Sequence, residues 1–249
     1  MYLKVFLLSI FFVSNLFSGT INVAVAANVS YAIEDLVKEF NQSFNDTKVK
    51  IILGSSGKLT AQIKHGAPYD IFMSANMKYP NALYEDKVAI TKPKVYAQGS
   101  LAYLSTKILD YSQGMNLVKN EKIDKIAIAN PKTAPYGKAA LEAMKNAQVY
   151  QGIKNKLVYA ESASQTLSYA ITAADLGFVA KSSMYSSKMK RFKKGVHWME
   201  VDNTLYTPIE QGIVLLKKAK NNQEALNFYN FILQDKAKKI FVNFGYILP

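Results

Sequence analysis

Apolar residues alternate between two rhythms along the chain. Short runs such as "INVAVA" (21–26), "VKIIL" (49–53) and "YDIFMSA" (69–75) are bounded by small or polar residues and read as strands. Between them the apolar positions recur every three or four residues. Ile33, Leu36, Val37 and Phe40 share one face of a helix predicted over 29–41. "GSSGKLTAQI" (54–63) turns the second strand into a helix, and Pro80 to Leu83 start a short third one. Near residue 97 the pattern restarts. Strands are predicted over 100–107, 125–131, 174–182 and 207–216, and a helix follows the turn that opens "APYGKAALEAM" (134–144). "LVYAESASQTLSYAI" (157–171) repeats the form as strand, small polar turn and helix, with Leu167, Ala170 and Ile171 inward. Two C-terminal helices close the chain. The last has Ile240, Phe241 and Phe244 at helical spacing and Gly245 as its stop. This alternation of strand and helix predicts an α/β protein. No 20–50-residue repeat is evident, which excludes a solenoid.

Composition narrows the class. At 249 residues and 49% hydrophobic, the chain can bury a core and is long enough for two lobes. Residues 1–18 read as a signal peptide: Lys4, an apolar stretch broken by Ser9, then Ser14, Asn15 and a small residue at Ser18 or Gly19. The apolar run is shorter than the ~20 residues of a spanning helix, so an exported, periplasmic protein is expected rather than an anchored one. There are no cysteines. Disulfides, thiolate chemistry, cysteine metal sites and a lipid-anchoring cysteine are excluded together.

The net charge of +13 comes almost wholly from lysine, with Arg191 the one arginine. Nucleic-acid readers lean on the forked donors of arginine, so nucleic-acid binding is not expected. The basic stretch "KMKRFKK" (188–194) reads as a solvated loop or helix end. The lysines serve solubility, or steer anions towards a cleft.

Four strand-to-helix junctions share one chemistry: 26–30, 54–57, 134–137 and 161–164 are small, polar and nearly uncharged. In open α/β sheets ligands bind outside the carboxyl ends of strands, where such junctions lie. A helix N-terminus there offers unpaired N–H groups and the positive end of a dipole, which suits an anion. Asn28, Ser30, Ser55 and Ser56 add side-chain donors. Ordinary helix capping is the plainer reading of any one junction taken alone.

Several stretches carry a resemblance. "GSSGKLTAQIKHGAPYDIFMSAN" (54–76) resembles the signature segment of the periplasmic molybdate-binding proteins that feed ABC transporters. "AVAANVSYAIEDLVKEF", "PYGKAALEAM" and "AKKIFVNFGYI" are similar to that family as well. The resemblance implies a two-lobed periplasmic-binding-protein fold of type II with two crossover strands. The first lobe would take 19–97 and 205–249, and the second 98–204. It implies a dehydrated molybdate or tungstate held between the lobes by neutral donors, with no cofactor and no side-chain metal ligand. The positions carried over are Asn28 and Ser56 with side-chain and backbone donors, Tyr136, and Ala163 with its backbone N–H. Ala27 and Ser55 stand beside them as further candidates. Where some relatives end a strand with a ligand-binding tyrosine, this chain has Ala180, for which Tyr136 would compensate. A monomer that docks on a membrane permease is implied.

Two other readings compete. An enzyme would need a base near its serine, yet His65 and His197 are lone histidines in polar surroundings. No Gly-x-Ser-x-Gly, HExxH or clustered metal set is present, so catalysis is not expected. A carrier of sulfate, phosphate or ferric iron on the same fold remains open; iron carriers use tyrosine pairs, and there are 16 tyrosines.

Overall fold

The structure is a computed structural model that describes residues 19–249. The expected signal peptide lies outside the described residues.

The first half opens with β1 (Thr20–Ala26), α1 (Ile33–Asn41), β2 (Lys48–Gly54), α2 (Ser56–Lys64), β3 (Ile71–Ser74), α3 (Lys78–Glu85) and β4 (Lys94–Gly99). The chain then crosses into β5 (Leu101–Leu104), β6 (Ile126–Ala129), α4 (Pro135–Asn146), α5 (Tyr150–Ile153), β7 (Leu157–Ala160), α6 (Ala163–Thr172), β8 (Leu176–Ala180) and β9 (Trp198–Glu200). It returns through β10 (Ile209–Leu215) and ends in α7 (Gln223–Ile232) and α8 (Asp235–Asn243).

Two five-stranded sheets result, in the orders β2-β1-β3-β10-β4 and β7-β6-β8-β5-β9. β1 pairs in parallel with β2 and β3 in the first sheet, and β6 in parallel with β7 and β8 in the second, whereas β10 and β5 pair antiparallel to their neighbours. The short passage from β4 to β5 and the longer one from β9 to β10 join the two lobes.

Both faces of each sheet are covered, which is why the inner strands are largely apolar. In the first sheet Val23, Val25, Ile71, Met73, Ile213 and Leu215 pack under α1, α7 and α8. Alternate residues Ala24, Phe72 and Val214 face Leu59, Ile63 and Leu83 from α2 and α3. The second sheet repeats this, with Ile126, Ile128, Leu176 and Phe178 under α4 and Val179 with Ala102 towards α6. Period-two alternation places successive strand residues on opposite faces and so feeds both layers.

One predicted helix starts later than its periodicity suggests. The helix read over 29–41 begins only at Ile33, and Ala27–Val29 form a separate 3₁₀ turn. Ala27, Asn28 and Val29 are all buried, so this turn is held by tertiary contacts rather than by α1. Gly245, at φ +74°, ends α8 as its sequence position suggests.

Candidate functional site

The carboxyl ends of β1, β2, β3, β6 and β7 meet at the boundary between the lobes. Here a small cavity is lined by Ala26, Ala27, Asn28, Gly54, Ser55, Ser56 and Ala75 from the first lobe and Ala134, Pro135, Tyr136 and Ala163 from the second. All four small polar junctions of the sequence therefore converge on one place. So do all six candidates, Ala27, Asn28, Ser55, Ser56, Tyr136 and Ala163. The remaining volume is about 10 Å³, roughly the space of one water.

Three helices begin at this cavity: α2 at Ser56, α4 at Pro135 and α6 at Ala163. The N–H groups of a helix's first turn have no partner within the helix. One of these is already taken, since Gly57 N–H donates across the lobe boundary to the Thr133 carbonyl at 2.9 Å. Pro135 has no N–H and suits the first helical position of α4.

The two serines differ in role. Ser56 Oγ accepts the Ala75 N–H at 2.9 Å, which leaves its own hydroxyl hydrogen to donate. Ser55 occupies the N-cap position of α2 in extended backbone, yet its side chain makes no capping bond. Its Oγ is buried without any partner. Ser162, in the equivalent position before α6, caps in the ordinary way by accepting from Gln165 N–H. Simple capping thus accounts for Ser162 and not for Ser55, the weaker serine candidate on sequence.

Asn28 does not present its amide hydrogens to the cavity as the sequence reading expects. Its Nδ2 donates to Gln211 Oε1 at 2.8 Å and to Tyr246 Oη at 2.9 Å. Both hydrogens are engaged, and Oδ1 is left buried without a partner. The Asn28 carbonyl accepts from Tyr246 Oη and from Ser182 Oγ, each at 2.9 Å. Asn28 is thereby left to offer its backbone N–H.

Tyr136 is 2% exposed and its hydroxyl has no partner. Burial raises its pKa well above the usual value, and the neighbouring Tyr246, Tyr96 and Tyr206 add to the shift. The Asn28 side chain, which lies beside the hydroxyl without a hydrogen bond of good geometry, lowers it slightly. The group is therefore a neutral O–H donor across the physiological range. A side chain at Gly99 would collide with this hydroxyl, so the end of β4 must be glycine for Tyr136 to seat there. Ala180 is buried in the second-lobe core and supplies no side-chain donor.

Among the described residues, none that lines the cavity carries a carboxylate, a guanidinium or an ammonium. Lys58 and Glu161 stand outside and pair with each other across the lobe boundary at 2.6 Å. Among the described residues, no group of three or more His, Asp or Glu is placed to hold a metal ion, and no helix is long and apolar enough to cross a membrane.

Residues 21–247 match the family of bacterial extracellular solute-binding proteins. The molybdate-binding protein ModA of Azotobacter vinelandii is 35% identical over 235 residues, covering 92% of this chain and 90% of that protein. This chain is a member of that solute-binding family. Within it, the similarity is to ModA proteins. The ModA of Rhodobacter capsulatus is 33% identical over 232 residues, covering 92% of this chain and 89% of that protein. The solved periplasmic molybdate-binding protein of Azotobacter vinelandii superposes with a TM-score of 0.84 at 31% identity, covering 92% of this chain and 99% of the other. The two-lobed α/β architecture is thus the type II periplasmic-binding-protein fold.

Proposed function

We propose that this chain captures molybdate, and tungstate with it, in the periplasm and delivers it to a membrane ABC importer. The observation that carries the reading is the donor set. Two buried hydroxyls without partners, on Ser55 and Tyr136, belong to a cavity where three helices start and no charged side chain lies. A buried donor without a partner costs about 1–3 kcal/mol. That cost is relieved if an anion supplies the acceptors.

The same set selects among anions. An unprotonated dianion offers acceptors only and needs only donors. A protonated phosphate also needs an acceptor and is commonly gripped by arginine, and neither a carboxylate nor an arginine lines this cavity. Hydrogen bonds to an ion are roughly twice as strong as neutral ones, so several together replace a counter-charge. Ala27, Asn28, Ser56 and Ala163 supply backbone N–H groups, and Ser55, Ser56 and Tyr136 supply hydroxyls.

Calorimetry of residues 19–249 with molybdate, tungstate, sulfate, phosphate and Fe(III) tests the reading. Molybdate and tungstate should bind at least ~100-fold more tightly than sulfate, because lobes that close onto the larger ion would hold the smaller one by stretched bonds. Equal affinity for sulfate and molybdate would overturn it, and binding of Fe(III) alone would favour an iron carrier.

A further inference from the structure

Asn28 sits in a closed network whose other members are remote in sequence. Its two amide hydrogens go to Gln211 Oε1 and Tyr246 Oη. Tyr246 has one hydroxyl hydrogen, and it goes back to the Asn28 carbonyl. The hydroxyl can therefore only accept from Nδ2. Gln211 is 0% exposed, and its Nε2 donates to the Ile209 carbonyl at 2.8 Å. That bond turns Oε1 towards Asn28. The orientation of the Asn28 amide is thus determined twice over by its neighbours.

Each neighbour is itself held. Tyr246 lies 4% exposed just after α8, with its ring edge-on to Phe241. The next residue, Ile247, pairs with Gln98 of β4 in both backbone directions, with N–O distances of 2.9 and 2.7 Å. Gln211 stands on β10 where the register with β4 shifts. The network therefore runs from the binding turn at Ala27–Val29 into both strands that border the lobe crossings.

We infer that Tyr246 and Gln211 are positioning residues of the binding site, acting through Asn28. They hold the Asn28 side chain with its hydrogens away from the ligand and fix the turn so that the Ala27 and Asn28 N–H groups face the cavity boundary. Neither Tyr246 nor Gln211 lines the cavity. The inference rests on reading this cavity as the anion site.

The test is a double-variant cycle read by calorimetry with molybdate. Tyr246→Phe keeps the ring and removes only the hydroxyl. It should weaken binding about threefold to tenfold in the parent chain. In an Asn28→Ala background the same change should cost clearly less than in the parent, because the amide it orients is gone and only the bond from the Tyr246 hydroxyl to the main-chain carbonyl of residue 28 remains to be lost. Equal losses in both backgrounds, or no loss in the parent, would overturn the proposal. A general structural role would lower the ligand-free Tm and weaken binding equally in either background. Should Asn28→Ala not fold, Tyr246→Phe is combined with Gln211→Met. Acting through one amide, the pair should lose less than the sum of the singles, and additive losses would count against the proposal. A parent chain that fails to bind molybdate would overturn the ligand reading alone, and the cycle is then run with whichever anion of the panel binds.

Discussion

Ser55 and Ser56 are adjacent, chemically identical and differently used, and only the fold separates them. Sequence places both at a small polar junction. It does not say which hydroxyl meets a strand neighbour and which is left free. That depends on the approach of Ala75, whose N–H settles on Ser56. Asn28 was equally ambiguous, because the partners that engage its amide lie 183 and 218 residues away in the chain. The uncapped Ser55 makes a sharp test. Ser55→Ala should reduce molybdate affinity roughly 10- to 150-fold, the loss of a charge-assisted bond of about 1.5–3 kcal/mol. It should leave the ligand-free Tm nearly unchanged, since no cap is lost. Ser162→Ala should do the reverse. It removes a real cap at α6 and costs about 1 kcal/mol of stability, with little effect on affinity. Calorimetry and thermal melts of both variants check the pair. A Ser55→Ala variant that melts early and binds normally would reduce that residue to a helix cap.

At the level of elements, the strands buried on both faces read most clearly. β1, β3, β6 and β8 are near-continuous apolar runs, since helices cover them above and below. β4 and β9 did not read as strands. β4, "KVYAQG", is an edge strand whose ends carry Lys94 and Gln98, and β9 spans only three residues at the opposite edge of the other sheet. Their apolar content is too small to stand out from the loops, whereas the edge strands β2 and β7 still read through residues 49–53 and Leu157–Ala160. The helix starts at α2, α4 and α6 were legible because their junctions are polar and short. Convergence of those starts on one cavity was not, because it is a property of the sheets' mutual placement. One of these starts allows a backbone donor to be removed cleanly. Ala163 opens α6, and Ser162 before it is extended at φ −147° and ψ 168°. Proline is tolerated at the first position of a helix, and an extended residue precedes it comfortably. Ala163→Pro should therefore fold with a Tm close to the parent's yet bind molybdate at least tenfold more weakly, because the N–H is gone. Ala163→Gly keeps the N–H and should bind as the parent does. Equal binding by the proline variant would exclude this N–H from the site.

At the scale of the whole molecule, residues of both lobes line the cavity and contacts bridge its rim, so ligand exchange requires the lobes to part. Contacts that cross the boundary then regulate exchange. Lys58 and Glu161 pair across it at 2.6 Å, and their side chains are 53% and 52% exposed. An exposed pair contributes at most about 1 kcal/mol. Breaking it should therefore speed ligand release by no more than about fivefold. The two halves of the pair have opposite effects on entry. Once the lobes separate, Lys58 attracts an arriving dianion and Glu161 repels it. Glu161→Gln should accelerate both association and release, whereas Lys58→Gln should slow association while accelerating release. The double variant should keep the fast release of either single variant and recover an association rate near the parent's. Raising the salt to about 1 M shortens the screening length to ~3 Å and should collapse the difference between the two association rates. Stopped-flow fluorescence, with Trp198 as the one tryptophan, measures both constants in each variant. Small-angle scattering should show a smaller radius with molybdate in all four proteins. If both single variants shift association in the same direction, the pair is not a charge gate. If release is unchanged in each, the bridge does not hold the lobes together.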